Sequence, residues 1–152
     1  MIEPGLLSGN VFSDTRGKLF AFNDFDMSEI VRCYTILPSS ESVIRAWQAH
    51  QLEKKWFHCT EGAFLVNLLK IDKFESPAED LAPEQFYLYA EQPQILAIPG
   101  GYANGFRSLK PNSQLIVYSN LTVAESAADD YRYSKEKWNV NWHNKEGETN
   151  NA

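Results

Sequence analysis

The feature that most constrains this 152-residue sequence is its rhythm. Short runs rich in β-branched and aromatic residues recur along the chain: 18–22 (KLFAF), 30–37 (IVRCYTIL), 43–48, 56–59, 63–71, 86–89, 94–98 and 114–119. Turn-forming clusters break them every ten residues or so. Asp14-Thr15-Arg16-Gly17, Pro38-Ser39-Ser40, Thr60-Glu61-Gly62 and Pro99-Gly100-Gly101 are the clearest. The turn at Gly62 predicts a hairpin running into 63–71. Helical periodicity is nearly absent. Only 122–129 reads as a helical turn, with Thr122 as its cap and Glu125 near its start. Many short strands with regular turns predict an all-β sandwich or barrel holding at most one or two short helical turns. The prolines and acids of 76–84 read as a surface excursion, and Trp138 and Trp142 as anchors for the end of the fold.

Bulk properties remove several function classes. The formal net charge is −6 and no run of lysine or arginine exists, so nucleic acid is not an expected partner. The longest apolar stretch, 63–69, is too short to span a bilayer, and the first residues lack a basic start followed by an apolar run. The expectation is therefore a cytoplasmic protein with no membrane partner. Cys33 and Cys59 form neither a disulfide framework nor a metal pattern. Residues 1–142 are expected to form one domain and 143–152 a polar tail, disordered from 144 onward.

Three segments concentrate chemistry. In Arg45-Ala46-Trp47-Gln48-Ala49-His50, strand alternation sends Gln48 and His50 to one face and Arg45 to the other, unless the strand bends. Lys55 precedes the hairpin. Residues 98–106 (IPGGYANGF) form a Gly-rich turn that delivers Asn104 to the start of the next strand. Each residue also has a plain structural reading: His50 as a satisfied barrel histidine, Arg45 as half of an ion pair, Tyr118 as core. His58 is expected to be structural or solvent-facing, and His143 is given no role.

In order along the chain, Asp14-x-Arg16-Gly17, residues 45–50, the IPGGYANGF turn, Tyr118 and Trp138-x-x-x-Trp142 resemble the dTDP-4-dehydrorhamnose 3,5-epimerases and the related dTDP-4-keto-6-deoxyglucose 3,4-ketoisomerases. The resemblance covers nearly the whole chain up to Trp142 and implies a cupin, a small jelly-roll β-barrel. It also implies a nucleotide-sugar substrate, surface-polysaccharide synthesis and a homodimer. The catalytic histidine of the epimerases falls on Gln48, their turn histidine on Asn104, and their partner aspartate on Tyr133-Ser134-Lys135. The second histidine of the ketoisomerases falls on His50, and their Arg-x-Tyr strand is similar to Arg32-Cys33-Tyr34.

The resemblance assigns His50 as the base, with Tyr118 or Tyr34 as the acid. Arg16, Arg45, Gln48, Lys55, Trp47 and Asn104 become the substrate contacts. Lys55 and Arg45 would stabilise the oxyanion formed when a proton leaves the carbon beside a ketone, and Arg16 would pair with pyrophosphate. Trp47 or Trp56 would stack on the nucleotide. No cofactor is implied. The positions of the usual cupin metal set read Gln48, His50, Glu53 and Asn104, a poor donor set for a transition ion, so no metal is expected. An amide at Gln48 cannot take a proton. A cupin that binds a sugar or nucleotide-sugar without turnover is thus the alternative, and a purely structural or regulatory barrel is the third reading.

Overall fold

In the computed structural model, which describes residues 1–143, the short apolar runs become strands of two facing antiparallel sheets. In chain order the elements are β1 (Gly5–Ser8), β2 (Asn10–Asp14), β3 (Gly17–Ala21), β4 (Arg32–Ile36), β5 (Arg45–His50), β6 (Lys55–Glu61) and β7 (Ala63–Lys70). They continue as β8 (Glu84–Tyr89), β9 (Gln94–Ile98), β10 (Tyr102–Ser108), β11 (Gln114–Ser119), α1 (Val123–Ala127) and β12 (Tyr131–Arg132). One sheet has the order β1-β9-β6-β11-β4 and the other β12-β5-β10-β7-β8, while β2 and β3 form a separate ribbon. The predicted helical turn is α1, where Thr122 and Glu125 complete a reciprocal capping box. The expected tail, 144–152, lies outside the described residues.

Alternation along each strand builds the core between the sheets. Phe57 and Cys59 from β6, Phe64, Val66 and Leu68 from β7, and Leu115 and Val117 from β11 point into it. The opposite face of the second sheet is closed by the end of the chain. Trp138 and Trp142 each bring their ring centroid to 5.4 Å from that of Trp47, and Trp138 Nε1 donates to the Ala78 carbonyl at 2.8 Å. Strands β1, β2 and β12 were not expected from the sequence, and β10 begins before its expected start at Asn104. Asn104-Gly105 reads locally as a turn, yet β10 runs straight through it because β5 and β7 pair with it on both sides. Asn104 is consequently mid-strand and not at a strand start.

Gly105 has a steric duty there. A Cβ at that position would stand 2.8 Å from Ala46 Cβ, 2.8 Å from a Trp142 ring carbon and 3.0 Å from Trp47. Gly105→Ala is expected to cost about 1–3 kcal/mol through overpacking, measured as a lower urea midpoint with an unchanged slope. A midpoint equal to wild type would show that the Trp142 layer yields freely.

Candidate functional site

The strands leave a cavity of about 490 Å³ at one end of the sandwich. That is within the usual size range of small-molecule sites. Its apolar wall includes Ile36, Phe57, Phe106 and Val117. Its polar wall is Tyr34, Arg45, Gln48, Lys55, Asn104 and Arg132, with Tyr133 at the side. Three cations line it and no carboxylate does, among the described residues.

A bulge explains how Arg45 joins this wall. Gln48 pairs with Asn104 and Arg45 with Phe106, so β5 holds one more residue than β10 across that interval. The extra residue resets the alternation and brings Arg45 and Gln48, three apart, to the same cavity. The Arg45 guanidinium has no hydrogen-bond or ion-pair partner among the described residues, nor does the Tyr34 hydroxyl. Lys55 is only 3% exposed. Its Nζ donates to Gln48 Oε1 at 3.0 Å, lies 3.5 Å from Glu53 Oε2 and sits 5.9 Å from the centre of the Tyr34 ring. Asn104 Nδ2 donates to the Gln48 carbonyl at 3.2 Å.

Other expected residues stand elsewhere. Tyr118 has the opposite parity to Val117, so it packs outside the barrel against Phe25, with ring centroids 5.9 Å apart. It does not line the cavity. Trp47 is among the residues lining the cavity, but its side chain is 2% exposed and packs with Trp138 and Trp142; Trp56, 5% exposed, packs in an outer layer and does not line it. Arg16 is at the tip of the β2–β3 ribbon, paired with Asp14 and outside the cavity. His58 lies edge-on to Phe22 at 4.9 Å, and burial lowers its pKa.

His50 is buried behind the wall. Its Nδ1 is 2.6 Å from the Asp129 carbonyl oxygen, and its Nε2 is 2.9 Å from Glu53 Oε2. With both nitrogens turned to these oxygens and no face on the cavity, it is not placed to take a proton from a ligand there. The sequence offered no sign of this, because Glu53 and Asp129 are partners made by folding. Burial raises the Glu53 pKa, but the hydrogen bond from His50, the charges of Lys55 and His50, and the Ser119 hydrogen bond outweigh it. The carboxyl is therefore held well below the usual range.

An aspartate does stand beside Gln48, although not at 133–135. Gln48 Nε2 donates to Asp130 Oδ1 at 3.2 Å, and Arg132 Nε donates to the same oxygen at 2.8 Å. Burial raises the Asp130 pKa, and the hydrogen bonds from Arg132 and Gln48 more than reverse that, so it stays ionised. Tyr133 is tied off by donating to the Phe74 carbonyl at 2.6 Å. Among the described residues, no group of three or more His, Cys, Asp or Glu side chains is disposed to hold a metal, and no helix is long and apolar enough to cross a membrane.

Facing antiparallel sheets with a ligand-sized cavity at one end define a jelly-roll barrel of the cupin kind. Three solved structures make the likeness concrete. One is dTDP-4-dehydrorhamnose 3,5-epimerase from Bacillus anthracis with TDP and PPi bound, at 18% identity and a TM-score of 0.74, covering 91% of this chain and 84% of that one. Another is the QdtA 3,4-ketoisomerase from Thermoanaerobacterium thermosaccharolyticum in complex with TDP, at 19% and 0.67, covering 88% and 89%. The third is ChmJ, a 3'-monoepimerase from Streptomyces bikiniensis in complex with dTDP, at 15% and 0.73, covering 88% and 70%. At such identities the likeness is one of fold. No protein-family model and no curated protein sequence matches the chain.

Proposed function

We propose that this protein acts on a nucleotide-linked 4-keto-6-deoxyhexose as an isomerase of the epimerase or ketoisomerase kind. The observation that carries the reading is the charge of the cavity. Arg45, Lys55 and Arg132 line it without a carboxylate, in a chain whose net charge is −6. Such a pocket selects an anionic ligand, because local cations in a low-dielectric cleft outweigh distant surface charge. The nucleotide-bound epimerase and ketoisomerase structures of the same fold supply the substrate class.

The chemistry follows from the ketone. A C4 carbonyl acidifies the hydrogens on its neighbouring carbons, and transfer of one to solvent water in the cavity leaves an enolate. Lys55 is the group to stabilise that oxygen, because it is a buried donor fixed before the charge develops. Tyr34, whose ring centre is 5.9 Å from Lys55 Nζ and whose hydroxyl has no hydrogen-bond partner among the described residues, is assigned to return a proton. The exposed Phe12 and Leu19 of the β2–β3 ribbon, at 56% and 58%, support a homodimer that would cover them.

One observation favours a second reading, binding without turnover. The cavity holds no free imidazole among the described residues, and Gln48 stands where a proton acceptor would serve. Incubation with dTDP-4-keto-6-deoxyglucose in deuterated buffer, followed by proton NMR alongside calorimetry, separates the two. Saturable binding with deuterium entering beside the ketone is the expected result. Binding with no exchange above the buffer rate selects the second reading, and absence of both overturns each.

A further inference from the structure

The Glu53 side chain is fully buried, and four donors from four parts of the fold converge on it. Arg32 of β4 and Ser119 of β11 each donate to Oε1 at 2.8 Å. His50 of β5 and Lys55 of β6 face Oε2 at 2.9 and 3.5 Å. The backbone beneath is pinned as well. The Asp129 carboxylate accepts from the amides of Gln51, Leu52 and Glu53 at 2.8, 2.8 and 2.9 Å, and Asn120 Oδ1 accepts from that of Lys54 at 2.7 Å. A glutamate held this firmly is a fixed point against which other groups are set.

Proton bookkeeping then assigns His50. The Asp129 carbonyl can only accept, so Nδ1 carries a proton. An ionised carboxylate oxygen can only accept, so Nε2 carries one too. Nε2 and Oε2 stand 2.9 Å apart and neither has a hydrogen-bond partner elsewhere or in ideal alignment among the described residues, and two lone pairs buried at that distance would repel. His50 is thus a donor at both nitrogens. Asp130 and the Asp129 carboxylate are the other acids near this ring, and both are engaged with donors of their own.

We infer that Glu53 is a positioning residue, which fixes the Lys55 ammonium at the cavity floor and holds His50 as a cation behind it. The cavity is then served by cations where the histidine's place in the sequence suggests a base. Three cations share the Glu53 carboxylate, and Lys55 is the one of them that lines the ligand space. Lysine has a flexible four-carbon stem, and a fixed counter-charge is what aims it at Gln48 and Tyr34. The consequence for turnover rests on the proposed function; the placement of the two cations does not.

Nitrogen-15 NMR of the histidine rings and lysine ammonium groups in neutral buffer tests it without a substrate. In the wild-type protein both His50 nitrogens should read as protonated. In Glu53→Gln one should lose its proton and the Lys55 signal should move, while Glu29→Gln, an exposed control, leaves both as they were. A single bare nitrogen on His50 in the wild type overturns the inference even if the variant fails to fold. Unchanged His50 and Lys55 signals in folded Glu53→Gln overturn it too. If the keto sugar undergoes exchange, Glu53→Gln should slow it by about 10²-fold; if it does not, the proposed function fails while the NMR result still decides the role of Glu53.

Discussion

Replacing Lys55 by methionine is expected to lower the rate of deuterium exchange into dTDP-4-keto-6-deoxyglucose by about 10²–10³-fold, the usual cost of removing a preorganised oxyanion donor. Methionine keeps the length and apolar stem of lysine and removes only the charge. The site suits the swap, since Lys55 is nearly inaccessible and its neighbours include Phe57 and the Tyr34 ring. Stability should hold or rise slightly, because Glu53 retains Arg32 and His50 as partners and one buried cation is gone. Dissociation constants should change less than rates, because the enolate charge exists only during reaction. An exchange rate within twofold of wild type would remove Lys55 from the chemistry. Equal losses in affinity and rate would make it a binding contact only.

Glu53→Ala is expected to destabilise the fold by about 3–5 kcal/mol, the range for breaking a buried ion pair from one side. Three cations lose their common counter-charge at once, and Ser119 loses an acceptor. The pH dependence has a definite sign. The Glu53 carboxyl in the folded state lies below its ordinary value of 4.5. Its contribution is therefore fully present well above that value and is lost as pH falls from 4.5 toward the folded pKa. Urea midpoints from pH 7 down to pH 3 should show the wild type falling toward the variant, so the gap between them narrows with acid. A gap that stays constant over that range would mean that ionised Glu53 is not what the fold relies on.

Much of the architecture was legible because strands announce themselves locally. Residues 94–98 and 114–119 are β9 and β11 as read from composition and flanking turns, and Thr122 with Glu125 marks α1. The β2 strand went unread because its residues are exposed on both faces, which leaves no alternation to see. For β10 the local signal pointed the wrong way. Asn104-Gly105 favours a turn, and the ladders to β5 and β7 override it.

The site was legible only in part. Arg45, Gln48, Lys55, Asn104 and Tyr34 do gather at one cavity, whereas His50 and Tyr118 do not reach it. Tyr118 missed by parity: one residue along a strand is the difference between core and outer face. His50 has the parity of Gln48, but its surroundings depend on Glu53 and Asp129, and Asp129 is 79 residues away in sequence. Arg45 has the wrong parity by count and is returned to the cavity by the β5 bulge.

By itself, then, the sequence determined an all-β sandwich or barrel with one short helical turn, because strand preference, turns and alternation are properties of neighbouring residues. Only the tertiary structure decided that His50 is a bonded group behind the wall and that an aspartate stands beside Gln48. Protonation and facing are set by what lies within a few ångströms in space. The residues that supply it come from β4, β6, β11 and the turn after α1, which come together only when the sheets close.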